Sequence, residues 1–137
     1  MDYWLKALGA GRRGHQLRDD WKNEKDGLLL TAATFGRRPG IRTGDGIVYY
    51  GAGYRVVFAA GYATSLAFHA ENQEDTRWPW RVKVSLPWIT EFIHDGVPLD
   101  DLNVDGRYLS ESIKQHSHIR LTQKEFEAAV LGLGGSF

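Results

Sequence analysis

The clearest alternation of apolar and polar positions runs through Trp80-Arg-Val-Lys-Val-Ser-Leu86, with Trp80, Val82 and Val84 on one face and Arg81, Lys83 and Ser85 on the other. A period of two marks a half-buried strand, so residues 78 to 86 are read as one, closed by Pro87. Tyr3 to Leu8 repeats the pattern, with Tyr3, Leu5 and Ala7 on one face and Trp4 and Lys6 on the other. Ile47-Val-Tyr-Tyr50 and Tyr54 to Ala63 are apolar runs split by Gly51-Ala-Gly53, which predicts an antiparallel hairpin. Leu28 to Thr34 reads as a buried strand or a helical turn, ended by the breakers Gly36 to Gly40.

Helical signals are fewer. Leu17 and Trp21 stand four apart in the charged stretch His15 to Asp26, predicting a short surface helix there. Thr122-Gln-Lys-Glu125 is a capping box, because a threonine hydroxyl and a glutamate three residues on can satisfy each other's first-turn amides. A helix is expected from Gln123 to about Leu131, with Phe126, Ala129 and Val130 inward and Gly132 to Phe137 a frayed tail. Ile89, Phe92 and Ile93 suit a helical or extended segment, and Val97 to Leu102 a short turn or helix. Gly9 to Gly14 and residues 65 to 76 are loops by composition, and Arg42 to Gly46 is a tight turn. Several short strands with a few short helices give an α+β class.

A chain of 137 residues has room for one core, and neither a repeat nor a linker divides it, so residues 1–137 are read as a single domain. There are no cysteines, which excludes disulfides, thiolate metal sites and a cysteine nucleophile, and suits a reducing compartment. The N-terminus lacks a basic stretch followed by an apolar one, and no window reaches the roughly 18 apolar residues of a membrane helix. A cytoplasmic protein with no membrane partner is expected.

Net charge is zero, which argues against holding nucleic acid by bulk electrostatics. The distribution is uneven: residues 1 to 60 hold ten Lys/Arg against six Asp/Glu, and residues 61 to 137 seven against eleven. Arg12, Arg13, Arg18, Arg37, Arg38 and Arg42 belong to the basic part, and two readings stand beside each other, a solvated surface and an anion-facing patch. Gly9, Gly11 and Gly14 fit a phosphate-loop spacing, but no long parallel strand precedes them and no acid follows where a ribose would be read. His116 and His118 could share a strand face as metal ligands, yet no third ligand stands near, so no cofactor or metal is expected. Adjacent Asp100 and Asp101 suit a turn or cap, and Asp45 in Gly44-Asp-Gly46 suits turn chemistry.

Taken in order, four strings identify a relationship: Tyr3-Trp4-Leu5, Thr43-Gly-Asp-Gly-Ile-Val-Tyr-Tyr50, Trp80-Arg-Val-Lys-Val84 and Leu121-Thr-Gln-Lys-Glu-Phe126. Together they resemble the EVE domain of the PUA-like superfamily, which is related to YTH and ASCH domains. The resemblance implies a PUA-like, mostly antiparallel β-barrel with flanking helices. It implies DNA or RNA containing a modified base as the partner, with modified cytosine or adenine read by stacking in an aromatic pocket. On that reading Trp4, Lys6, Tyr50 and Trp80 line the base pocket, and Arg12, Arg13, Arg37, Arg38 and Arg42 face the nucleic-acid backbone. The chain departs from the family where Gly27-Leu-Leu-Leu-Thr31 lacks a customary Arg and Asn, and where Gly51-Ala52 replaces a customary His-Ser. Two other readings follow: an ASCH-like amidohydrolase acting on acylated nucleosides, using Lys6 with Thr31 or Thr43, and a protein-interaction domain.

Overall fold

The computed structural model describes residues 1–9, 17–70 and 78–136, without the side chains of Lys25 and Asp26. Eight strands form one curled sheet: β1 (Tyr3–Leu8), β2 (Ala32–Phe35), β3 (Gly46–Gly51), β4 (Val56–Ala63), β5 (Phe68–His69), β6 (Trp80–Ile89), β7 (Val97–Pro98) and β8 (His118–Leu121). The main path is β2-β6-β4-β3-β1-β8, with β5 added to β6 and β7 to β4. Every pairing is antiparallel except β1 with β3. The result is a half-barrel whose end strands are β2 and β8. Among the described residues three α-helices flank it: α1 (Leu28–Thr31), α2 (Leu109–Ser112) and α3 (Gln123–Gly132). This is the α+β, PUA-like, mostly antiparallel fold expected from the sequence.

Each face of the sheet buries its own apolar cluster. The concave face collects Trp4, Leu8, Phe35, Ile47, Tyr49, Phe58, Val82 and Val84, and is closed at one end by Trp21, Leu29 and Ile93. The convex face collects Leu5, Val48, Tyr50 and Val57, covered by α3 through Phe126, Ala129 and Val130, and by Leu99, Leu102 and Leu109. Alternation along β1 and the first part of β6 therefore has the expected sense.

Pro87 does not end β6, which continues to Ile89. Ala60 faces Trp88 while Tyr62 faces Ser85, so β6 carries one extra residue in a β-bulge. A proline is tolerated there because the ladder is already interrupted. The bulge also reverses the alternation: Leu86 packs on the concave cluster and Trp88 on the convex one.

Between Leu17 and Thr31 the single helix expected from His15 is replaced by a 3-10 helix, Trp21–Gly27, running into α1. Residues 15 and 16 lie outside the described residues. Local polar bonds shape the entry: the Arg18 amide donates to Glu24 Oε2 at 3.0 Å and the Arg18 guanidinium grips Asp20 at 2.9 Å. Leu28 to Thr34 is both of the forms expected, a helical turn and then β2. Val97 to Leu102 is β7 followed by a 3-10 turn, Leu99–Leu102.

The capping box of α3 is formed, and Glu125, fully buried, also receives Arg107 Nε at 2.9 Å and Nη2 at 2.8 Å. The expected frayed tail is instead ordered through Gly135. Gly134 takes φ +89°, its amide donates to Leu131 O, and the Gly135 amide donates to Val130 O at 2.9 Å, which is a Schellman closure. Gly135 then lies against the Trp88 indole.

One tether of the fold titrates. Asp19 accepts the His94 amide at 2.9 Å and pairs with the His94 ring, whose other nitrogen lies 3.2 Å from Asp95. The Asp19 hydrogen bond raises the His94 pKa above 6.5, and the charges of Asp19 and Asp95 add to it against a smaller desolvation effect. A raised histidine pKa contributes stability that is full below the unfolded value and lost as pH rises through the folded one. The melting temperature should fall more between pH 6 and 8 in the wild type than in His94→Gln, and the difference should shrink in high salt. Equal slopes in the two proteins would remove the tether's role.

Candidate functional site

Lys6 is the least expected residue of the concave face. It sits on β1 directly opposite His118 of β8, so the two side chains share that face. Its residue exposure is 3 %. The ammonium lies 4.6 Å from the centre of the Phe35 ring and 5.8 Å from that of Trp78, and donates to Ser117 Oγ at 3.2 Å. Among the described residues no carboxylate pairs with it. Burial without a counter-ion lowers its pKa from 10.5 to about 8.

Aromatic groups from four strands converge on this point. His118 contacts Trp4 at 5.5 Å and Phe35 at 5.1 Å between ring centres, and Ser117 Oγ is 2.9 Å from His118 Nδ1. Trp80 is the register partner of Phe35, so it lies on the same face, with His69 edge-on at 5.3 Å. The His118 pKa is lowered, first by burial and then by the positive charges of Lys6 and His116, which favours the neutral imidazole. Phe35 is fully buried, whereas Trp78 keeps 39 % of its surface exposed. The cluster thus has a closed floor and a solvent-facing aromatic edge.

Trp4 is fixed by the turn before β3. Asp45, itself buried, accepts Trp4 Nε1 at 3.0 Å, the Arg42 amide at 3.0 Å and the Asp2 amide at 3.1 Å. Desolvation pushes the Asp45 pKa up, but these bonds and the N-terminal charge outweigh it and hold it below 3.8. Asp45 is therefore both the turn residue expected and the anchor of Trp4. Asp45→Asn should cost about 1–3 kcal/mol, because a charged acceptor of three donors is lost. The wild-type margin over this variant should shrink as pH falls through the depressed Asp45 pKa. Urea unfolding at pH 7 and at pH 3 would measure both.

The residues expected to line the base pocket separate into two groups. Trp4, Lys6 and Trp80 share the concave face, and Tyr50 does not. It packs in the convex cluster, because β3 alternates and Tyr49 is the residue that points inward, its hydroxyl donating to Leu29 O at 2.8 Å. Tyr50 lines a separate cleft of about 270 Å³ with Arg55 and Asp100.

Of the basic residues, Arg38 lies over Trp80 at 5.8 Å and Arg37 is exposed beside it. Arg42 is exposed at the Asp45 turn. Arg12 and Arg13, with most of the glycine loop, fall outside the described residues. Arg120 adds a guanidinium 5.4 Å from the Trp4 ring and is 3.4 Å from Asp2. Thr31 is exposed, with its hydroxyl bonded to Leu28 O at 3.1 Å, and Thr43 is exposed in the turn.

Phe35, Trp78, Ser117, His118 and Arg120 join the cluster round Lys6 and Trp4, and sequence reasoning did not assign them to a pocket. His116-Ser-His118 had drawn attention as a metal pair; its serine and second histidine serve instead beside Lys6. No group of three metal-ligating side chains occurs among the described residues, and no described helix is long and apolar enough to cross a membrane.

No family model and no curated protein matches the chain. Several solved structures do. Protein Rpa0253 of Rhodopseudomonas palustris superposes with a TM-score of 0.57 at 14% identity, covering 98% of this chain and 94% of that one. Protein Atu2648 of Agrobacterium tumefaciens gives 0.57 at 16%, covering 96% and 93%. Human THYN1, solved in complex with DNA containing 5-methylcytosine, gives 0.53 at 14%, covering 92% and 94%. These likenesses span nearly the whole of both chains and show that this chain shares the fold of those proteins.

Proposed function

We propose that the chain is a nucleic-acid binding module that takes a modified base into the Lys6 pocket. The observation that carries the reading is the buried ammonium of Lys6, close to the Phe35 and Trp78 rings and hydrogen-bonded, among the described residues, to the Ser117 hydroxyl alone. Stacking surfaces and one fixed donor are what an unstacked base needs, its faces met by rings and its edge by a polar group. Extruding a base costs a few kcal/mol, and each aromatic stack returns about 1 to 3. Trp78 and Trp80 together would offset that cost. Arg38 over Trp80 and Arg120 over Trp4 would meet phosphates, and the exposed Arg37 and Arg42 would add to them. The fold shared with THYN1, which binds DNA containing 5-methylcytosine, supports the same class of ligand.

Binding and not catalysis is favoured because Thr31, one proposed partner of Lys6 in an amidohydrolase, spends its hydroxyl on a backbone carbonyl. Titrating the protein into labelled oligonucleotides, plain and carrying methylated cytosine or methylated adenine, as DNA and as RNA, tests the proposal. One modified strand should bind at least several-fold tighter than its plain counterpart. Equal affinity across the panel would remove base reading, and hydrolysis of an acylated nucleoside would move the chain to the enzymatic reading.

A further inference from the structure

Among the described residues the charge round the Lys6 cluster is one-sided. Lys6 faces His118 and Ser117 from β8 and the segment before it, with His116 close enough to influence His118. Arg120 stands over Trp4 and Arg38 over Trp80. The acid nearest in the hydrogen-bond network, Asp45, faces away into the turn and is saturated by three donors, and Asp2 sits against Arg120. Among the described residues the buried cation of Lys6 has no counter-ion, which is a costly arrangement in the empty protein. A ligand that brings an anion to that spot relieves the cost, whereas a methyl group does not.

We propose that the pocket prefers a nucleobase bearing an ionised carboxyl substituent over the corresponding methylated base. The inference rests on the base-reading proposal and specifies its ligand. Close, desolvated charge pairs across interfaces couple strongly enough that about tenfold or more separates the two ligands at pH 7. The preference also carries a pH signature. Lys6 loses its proton near pH 8 in the free protein, while a bound carboxylate would hold the proton to higher pH. Affinity for the carboxylated base should then fall about tenfold between pH 7 and pH 9, with little change for the methylated one.

The test uses three duplexes of one sequence whose central base is cytosine, 5-methylcytosine or 5-carboxylcytosine, titrated at pH 7 and 9. Backbone phosphates are identical in all three, so differences between them report the base. Lys6→Met should bring the carboxyl-to-methyl affinity ratio close to one, with circular dichroism confirming the fold. If that variant does not fold, the wild-type pH profile decides. A ratio near or below one in the wild type, or a ratio unmoved by both pH and Lys6→Met, overturns the inference. Methyl preferred over plain cytosine without a carboxyl gain would sink this inference and leave base reading standing; three equal affinities would sink this inference, and base reading would then be decided by the panel of methylated cytosine and adenine in DNA and RNA.

Discussion

Trp21→Ala is expected to lower the unfolding free energy by about 3–5 kcal/mol, the range for deleting a buried large aromatic side chain. Trp21 is fully buried where the concave cluster ends, edge-on to Phe58 at 4.9 Å and to Tyr49 at 6.2 Å. Its Nε1 donates to Thr90 O at 3.0 Å, so the substitution also leaves that carbonyl without its indole partner. Domains of this size have only about 5–15 kcal/mol in total. The melting temperature should drop by about 10 °C or more. A loss below about 1 kcal/mol in urea unfolding would mean that the segment from Trp21 does not seal the barrel.

The second large effect belongs to a residue with no side chain. Gly61 lies opposite the β6 bulge, and a Cβ there would stand 1.9 Å from Ser85 O, 2.8 Å from Leu86 Cα and 2.9 Å from Pro87 Cδ. Two of those neighbours are backbone, so no rotamer change relieves the clash. Gly61→Ala should cost about 3 kcal/mol or more, beyond the usual range for an overpacked site, and should separate β4 from β6. Hydrogen exchange would read this as lost protection in 84–89, and unchanged protection there would contradict the close approach.

How much of this was legible before the structure depends on which strands alternate. β1 and the start of β6 alternate, so their period of two put Trp4 with Lys6 on one face and Trp80 with Val82 and Val84 on one face, as the strands are built. β3 is buried at all six positions, and a strand covered on both faces has no polar side to give its orientation. Tyr50 was assigned to the pocket by the family resemblance, and no local pattern was there to correct it. The bulge depends on Pro87 meeting Gly61 across a strand pair, a coincidence that no local window contains.

The hidden half of the site has a similar cause. Phe35 and His118 come from β2 and β8, four-residue strands at opposite ends of the sheet path, and only its curl brings them to 5.1 Å. Glycines past Leu131 suggested fraying, yet glycine is also what a left-handed helix closure requires, as Gly134 shows. The capping box, by contrast, is wholly local and was readable as it stands.

The central claim is that recognition takes place on the concave face, at the Lys6 cluster, and not at the Tyr50 cleft behind the sheet. Anisotropy titration of the preferred modified duplex with Trp78→Ala and with Tyr50→Phe tests it most directly. Trp78→Ala removes a partly exposed stacking surface and should weaken binding by about 1 to 3 kcal/mol, roughly 5- to 150-fold. Tyr50→Phe, which changes only a hydroxyl on the other face, should bind as the wild type does. Unchanged binding by Trp78→Ala together with a loss in Tyr50→Phe would place the ligand on the wrong side of the sheet and contradict the account.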